Sequence, residues 1–267
     1  MPSSYERSPR IQGFIARPPS PALAAYVQRF WWLKSTAITT HDAQLLHPDG
    51  GSGVIFNFAE PLSLNGNLHA PAALIAGPHQ ASCRMQLAGQ VNLMGVRFRP
   101  GMGAVFFGVG LDELPGFQSE ARPDLWPTIL VDALADMDQS SQQRLVERLL
   151  LARLSETGQR RAPVQQLLAQ ITASQGRSRL TDLMQAVPLG QRQLERLFRH
   201  QVGLTPKQFS RIQRVARVRD ELRTGGSLLD TAMLCGYADQ AHFIHDFKAV
   251  VGMTPGQYRL RANVAEG

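Results

Sequence analysis

Cysteine is nearly absent from the 267-residue chain: Cys83 and Cys235 are the only two, far apart and outside any CxxC or His–Cys cluster. A disulfide scaffold and a cysteine zinc site are thereby excluded, and two isolated thiols fit a reducing, cytoplasmic compartment. Long apolar runs are absent as well. The longest, Ala104–Leu111, falls far short of the roughly 20 residues that a membrane helix needs, so no membrane partner is expected. The N-terminal MPSSYERSPR has charges and prolines but no apolar segment of a secretory signal. Also missing are a nucleophile elbow, a P-loop and a dinucleotide fingerprint. His41, His47, His69 and His79 are scattered with no HxH pair, so neither a metal nor another cofactor is expected, and the chain does not read as an enzyme.

What is present is a globular composition, 43% hydrophobic and 18% charged, of a length that suits one or two domains. The formal net charge of +7 is unevenly placed. Residues 1–158 hold 12 Lys+Arg and 13 Asp+Glu, whereas residues 159–267 hold 16 and 8. A basic module joined to a neutral one suits a phosphate backbone, whose counterions Lys and Arg displace. Charge alone is equally well explained by solvated arginine-rich faces, only Lys34, Lys207 and Lys248 being lysine.

Residues 12–100 alternate short β-rich runs with glycine and proline: GSGVIFNFAEP (51–61), AALIAGP (72–78), CRMQL (83–87) and VNLMGVRFRPG (91–101). That pattern predicts a small antiparallel barrel or sandwich. From Pro123 the periodicity turns helical, with a helix from Ser141 to Leu154 whose Leu145, Leu149, Leu150 and Leu151 share a side. The polar SETGQRRAP (155–163) is the best boundary. The fold class is therefore α+β, a β-rich domain over 1–120, a helical connector over 121–158 and an all-α domain over 159–267.

The last segment contains an internal repeat. GLTPKQF (203–209) matches GMTPGQY (252–258) at an offset of 49 residues, and at the same offset Leu194, Arg196, Phe198 and Arg199 match Phe243, His245, Phe247 and Lys248. Each copy reads as helix, turn, helix, then a Gly-x-Thr-Pro junction in which glycine ends one helix and threonine caps the next, with proline at its first position. Ser227 with Asp230, and Asp239, are further N-cap signals. On a wheel for residues 191–201, Leu194, Leu197 and Phe198 share one face, while Arg192, Glu195, Arg196 and Arg199 share the other. Over residues 240–251, Phe243, Phe247 and Val251 oppose Ala241, His245 and Lys248. An ordinary amphipathic surface helix explains one such face. Two, spaced by a helix of about 20 residues and hence about 30 Å, fit major grooves a turn of DNA apart.

CGYADQAHFIHDFKAVVGMTPGQYR (235–259) and LERLFRHQVGLTPKQF (194–209) resemble the double helix-turn-helix domain of AraC/XylS-type regulators, over about residues 162–262. The chain departs from that pattern at Met184, Pro188 and Gly190. The resemblance implies a transcription regulator, with Arg192, Glu195 and Arg196 of the first unit and Gln240, Ala241 and His245 of the second reading bases of double-stranded DNA. PPSPALAAYVQRFWW (18–32), HPDGGSGVIFNF (47–58) and GVRFRPGMG (95–103) resemble a poorly characterised module that accompanies some members of the family. That resemblance implies a cupin-like β-fold with a sensory or dimerising role. RNA polymerase, a small-molecule effector and a second copy of the chain are the other candidate partners. Two rivals stand beside this reading: an enzyme or metal-binding barrel tethered to DNA, and a coating protein with no sequence preference. A repair methyltransferase lacks support, because its cluster of metal-binding cysteines is missing. Trp31 and Trp32 read as packing residues, and His47 as part of a turn.

Overall fold

The computed structural model describes residues 13–38, 44–118, 126, 128–156 and 162–265. Ten strands come first: β1 (Phe14–Arg17), β2 (Val27–Ile38), β3 (Gln44–Leu46), β4 (Ser52–Asn57), β5 (Leu62–Leu64), β6 (Asn67–His69), β7 (Ala73–Ala76), β8 (Cys83–Gln86), β9 (Gly89–Phe98) and, after a short helix α1 (Ala104–Phe107) and a 3-10 turn (Leu111–Glu113), β10 (Phe117–Gln118). They form two antiparallel sheets, ordered β1-β2-β9-β4-β7-β10 and β3-β8-β5-β6. Helices α2 (Thr128–Ala135) and α3 (Gln139–Glu156) follow.

The large sheet is covered on both faces, and the period of two along its strands sorts the side chains. Leu33, Ile55, Leu74, Val91 and Leu93 face the smaller sheet and pack with Leu62, Leu64, Cys83 and Met85. Their neighbours Phe30, Trp32, Val54, Phe56, Met94, Val96 and Phe98 face the other way, against Phe106 and Phe107 of α1 and Val131, Leu134, Val146 and Leu150 of α2 and α3. The connector segment thus packs on the sheet as well as linking it onward. Gln142, Val146 and Leu150 are the buried row of α3, whereas Leu151, which the sequence places on the same side, is 38% exposed. Gln142 is buried because it is satisfied: its Oε1 accepts from Trp32 Nε1 at 2.6 Å and its Nε2 donates to Leu134 O at 2.8 Å.

The remaining helices are α4 (Ala162–Ala173), α5 (Leu180–Gln185), α6 (Gln191–Val202), α7 (Pro206–Arg223), α8 (Leu228–Leu234), α9 (Gln240–Val251) and α10 (Pro255–Ala265). They share one core, with Leu167, Ile171, Leu194, Phe198, Phe209, Ile212, Val215, Leu222, Phe243 and Phe247 at its centre. Among the described residues no helix is long and apolar enough to cross a membrane.

The turn between α4 and α5 shows how tightly this core is closed. Gly176 has φ 71°, and a Cβ there would lie 2.2 Å from the Ser210 carbonyl oxygen. Its own carbonyl accepts from Ser210 Oγ and twice from the Arg214 guanidinium, at 3.2, 3.1 and 2.9 Å. Gly176→Ala combines a left-handed backbone with overpacking. It should cost about 2–4 kcal/mol, read as a lowered denaturation midpoint; an unchanged midpoint would show that the turn is free to rearrange.

Candidate nucleic-acid interface

The two helices expected to read DNA are the second helices of the two repeats, α6 and α9. In α6, Leu194, Leu197, Phe198 and Val202 are buried. In α9, Phe243, Phe247, Val250 and Val251 are buried. The apolar stripe of each helix is thus consumed by the common core, and the opposite face is left to solvent. Arg192, Arg196 and Arg199 are exposed on α6, and Gln240, Ala241, His245 and Lys248 on α9. Glu195 is half-buried and accepts from Gln191 Nε2 at 3.0 Å. A row of forked guanidinium donors on one helix, and an amide, a methyl and an imidazole on the other, can present distinct donor, acceptor and apolar groups to base edges.

The helix ends follow from local chemistry. Thr205 Oγ1 accepts from Gln208 N at 3.2 Å while Gln208 Oε1 accepts from Thr205 N at 2.8 Å, a reciprocal box that opens α7. Thr254 and Gln257 repeat it at the start of α10, at 3.3 and 2.9 Å. Gly203 and Gly252 end α6 and α9 with φ of 76° and 85°. The N-termini of α9 and α6 differ: Asp239 accepts from His242 N at 2.7 Å, but Gly190 offers α6 no side-chain cap. Glycine in place of a capping side chain costs a helix about a few tenths of a kcal/mol.

The joining helix α7 has 18 residues, about 27 Å at 1.5 Å per residue, somewhat shorter than expected from sequence. Several of its arginines are spent inside the protein. Arg214 holds the Gly176 carbonyl and lies over the Tyr237 ring, 5.1 Å from its centroid. Arg217 pairs with Glu221 at 3.0 Å. Arg219, only 2% exposed, reaches Tyr258 Oη at 3.4 Å. Burial lowers the pKa of its guanidinium, against the pull of Tyr258. Sequence carries a signal for this burial, because 219 lies in the same row as Val215 and Leu222 at helical spacing.

The strand domain and the helices also meet directly, which the sequence did not announce. The turn after β3 inserts toward α7 and α10: His47 is 9% exposed and lies edge-on to the Tyr258 ring at 5.9 Å. Ser82 N and Oγ both donate to Val250 O, at 2.8 and 2.9 Å, and His47 Nδ1 lies 2.7 Å from the same hydroxyl. Because that hydroxyl's single proton goes to Val250, His47 must carry its proton on Nδ1 and donate. Burial, with Arg219 and Arg223 nearby, lowers the His47 pKa to about 2, so the ring is neutral. Asp49, held by Arg97 and by Gly51 N at 2.8 Å, presents its carbonyl to Gln213 Nε2 at 3.1 Å. Gln201 Nε2 donates to Gly101 O at 3.4 Å. The hydrogen-bonded partners that join the strand domain to the helices are separated by 100 or more residues, so no local pattern marks them.

The rival enzymatic reading required convergent groups in the strand domain. Cys83 is buried, and burial pushes its thiol up to about 11, away from the reactive thiolate. His79 lies tilted against the Phe117 ring with centroids 4.5 Å apart, and its pKa is lowered to about 4, chiefly by burial. His69 is lowered by burial too. His41 lies outside the described residues. Trp32 is a core residue, and Trp31 stacks on Phe14 with centroids 6.1 Å apart.

Residues 183–261 match the family model described as a helix-turn-helix domain, and residues 16–119 match a domain of unknown function, DUF6597. The HTH-type transcriptional activator RhaR of Klebsiella pneumoniae is 34% identical over 109 residues, which is 40% of this chain and 39% of that protein. The chain therefore matches about two fifths of that relative's length. Among solved structures, ToxT from Vibrio cholerae O395 bound to (E)-4-(8-methylnaphthalen-1-yl)but-3-enoic acid superposes with a TM-score of 0.47 at 8% identity, covering 86% of this chain and 99% of that one. Unsaturated fatty acid bound wild-type ToxT gives 0.46 at 12% identity, over 86% and 95%.

Proposed function

Starting from residues 183–261 as a helix-turn-helix domain of the AraC type, we propose that the protein is a transcription regulator that reads an asymmetric site on duplex DNA through α6 and α9. The observation that carries this reading is the pair of outward polar rows, exposed Arg192, Arg196 and Arg199 with half-buried Glu195 on one helix and exposed Gln240, Ala241, His245 and Lys248 on the other, on helices that precede and follow α7 in the chain and whose apolar sides are locked in one core. In this reading residues 1–120 are the sensory or dimerising part, 121–158 the connector and 159–267 the DNA-binding part. Its prospective partners beyond DNA are RNA polymerase, a small-molecule effector and a second copy of the chain. Arginines and backbone N–H groups give phosphate anchorage, and base contacts give specificity.

The two units are expected to share the reading unequally. Arg192 and Arg196 can each take guanine O6 and N7 bidentately, which discriminates by roughly 1–3 kcal/mol, whereas Gln240 suits adenine and Ala241 the thymine methyl. The half-site under α6 should be richer in G and more stringent. A randomised-site selection with wild type, Arg196→Ala and His245→Ala tests this. Loss of preference at α6 positions in Arg196→Ala is expected. If Arg196→Ala leaves the selected sequence untouched while His245→Ala erases it, α9 is the main reader. If wild type selects no sequence at all, the coating-protein reading replaces this one.

A further inference from the structure

We propose that Asp112, Glu113 and His200 form a binding site for one divalent transition-metal ion of the zinc class, bridging the strand domain and the end of α6. The imidazole is distant in sequence from the two carboxylates, which are adjacent: the carboxylates come from the Leu111–Glu113 turn and the imidazole from the last turn of the helix. One ligand atom from each lies within 4.8 Å of the others. His200 Nδ1 and Asp112 Oδ1 are 3.3 Å apart. Two ligands bound at 2.0–2.2 Å to a tetrahedral ion lie about 3.3–3.6 Å apart, so this pair already spans an edge of such a shell. Glu113 is held close by its Oε1, which accepts from Gly110 N at 3.2 Å. All three side chains are exposed, so small rotations close the shell and an open position remains for water.

The backbone on both sides is fixed. The end of α6 closes on the 3-10 turn, where a Cβ on Gly203 would fall 2.8 Å from Leu111 O. Gly110 leaves the room that the imidazole occupies: a Cβ there would lie 2.3 Å from His200 Nδ1 and 2.4 Å from Asp112 Oδ1. One imidazole nitrogen and two carboxylate oxygens suit Zn²⁺ and its first-row neighbours better than Mg²⁺, which prefers an all-oxygen octahedron. Competing donors are weak. Cys83 and Cys235 are buried thiols whose pKa values are raised by burial, and His242 and Asp246, 3.3 Å apart, are joined by no third ligand among the described residues. A bound ion would tie the first reading helix to the strand domain; that consequence, unlike the site itself, rests on the proposed function.

The test is titration of the full chain with Zn²⁺ against a chromophoric chelator, with Mg²⁺ in parallel. One Zn²⁺ per chain is expected, with affinity falling at least tenfold in His200→Gln and Asp112→Asn and unchanged in His242→Gln. The sharper variant is Gly110→Ala. Its backbone, at φ −63° and ψ 143°, is open to alanine, and all three ligands stay in place chemically, but the methyl group displaces His200 from Asp112. It should bind Zn²⁺ at least tenfold more weakly while melting as wild type does. Wild type that takes up no Zn²⁺, or His200→Gln and Gly110→Ala that bind it as wild type does, would overturn the site. Zn²⁺ that binds but leaves the DNA affinity of wild type unchanged would overturn the coupling to α6 alone. A chain that binds Zn²⁺ and no DNA would overturn the proposed function and leave the site standing.

Discussion

Phe247→Ala is expected to unfold the second helix-turn-helix unit rather than to change which DNA it prefers. The ring is fully buried on the inner face of α9, 6.3 Å from the Phe243 ring centroid and 5.5 Å from that of Tyr258, which it meets edge-on. Removing it forfeits the transfer free energy and leaves a cavity, together about 3–5 kcal/mol. Phe198, equally buried and 6.0 Å from Phe209, should cost as much in the first unit. Such losses rival the total stability of a small domain. Chemical denaturation followed by far-ultraviolet circular dichroism checks both variants. An early helical transition in each, with the strand domain unfolding later, is the expected result. Unchanged unfolding in either would reverse the assignment of that helix's faces.

The second large effect is a loss of stability on acidification that begins near pH 6.5. His47 titrates at about 2 in the folded chain and near 6.5 when unfolded. Below pH 6.5 the unfolded chain takes up a proton that the folded chain refuses, so stability is complete above 6.5 and declines as pH falls toward 2. The slope reaches about 1.4 kcal/mol per pH unit, hence roughly 2 kcal/mol between pH 6.5 and 5. His79, lowered to about 4, adds a decline of the same sign that ends near that pH. Arg219 and Arg223 of α7 face His47 together with Tyr258 and the Ser82 hydroxyl, so no carboxylate among the described groups acting on it would rescue the imidazolium. Wild type and His47→Gln should be compared by denaturation at pH 7.5, 6 and 5. The variant should lose much of the pH slope. A slope unchanged in the variant would move the titrating group elsewhere.

The helical half was far more legible in the sequence than the strand half. Its rules are local: a Thr-Pro pair after glycine, a carboxylate or hydroxyl three residues ahead of a free N–H, an apolar row every three or four positions. These fixed α6, α7, α9 and α10, and they sorted Phe198 and Phe247 inward. The antiparallel strands were also legible, but which strand neighbours which was not, because β2 pairs with β9 and β4 with β7 across tens of residues. The outward side chains of α6 and α9 were marked by default, as those left over once the core had taken the apolar ones. The junction at His47, Ser82 and Val250 was illegible for the opposite reason. Polar residues in a proline-containing turn read as surface, and only the folded chain shows that a neutral imidazole and a serine hydroxyl relay onto a helix carbonyl. Leu151 and Arg219 mark the same limit, one apolar residue exposed and one charged residue buried by what packs against their helices.

Helix α7 also sets a phase. Each residue added to or removed from it would turn everything beyond by about 100° and shift it by about 1.5 Å. A single insertion would swing the outward row of α9 a quarter-turn or more away from that of α6, and would pull Arg219 off Tyr258. Length variation in this helix therefore cannot be gradual. Only changes of about a whole turn, or of seven residues, would restore the angle between the two rows, and even those would shift the distance between them by a discrete step.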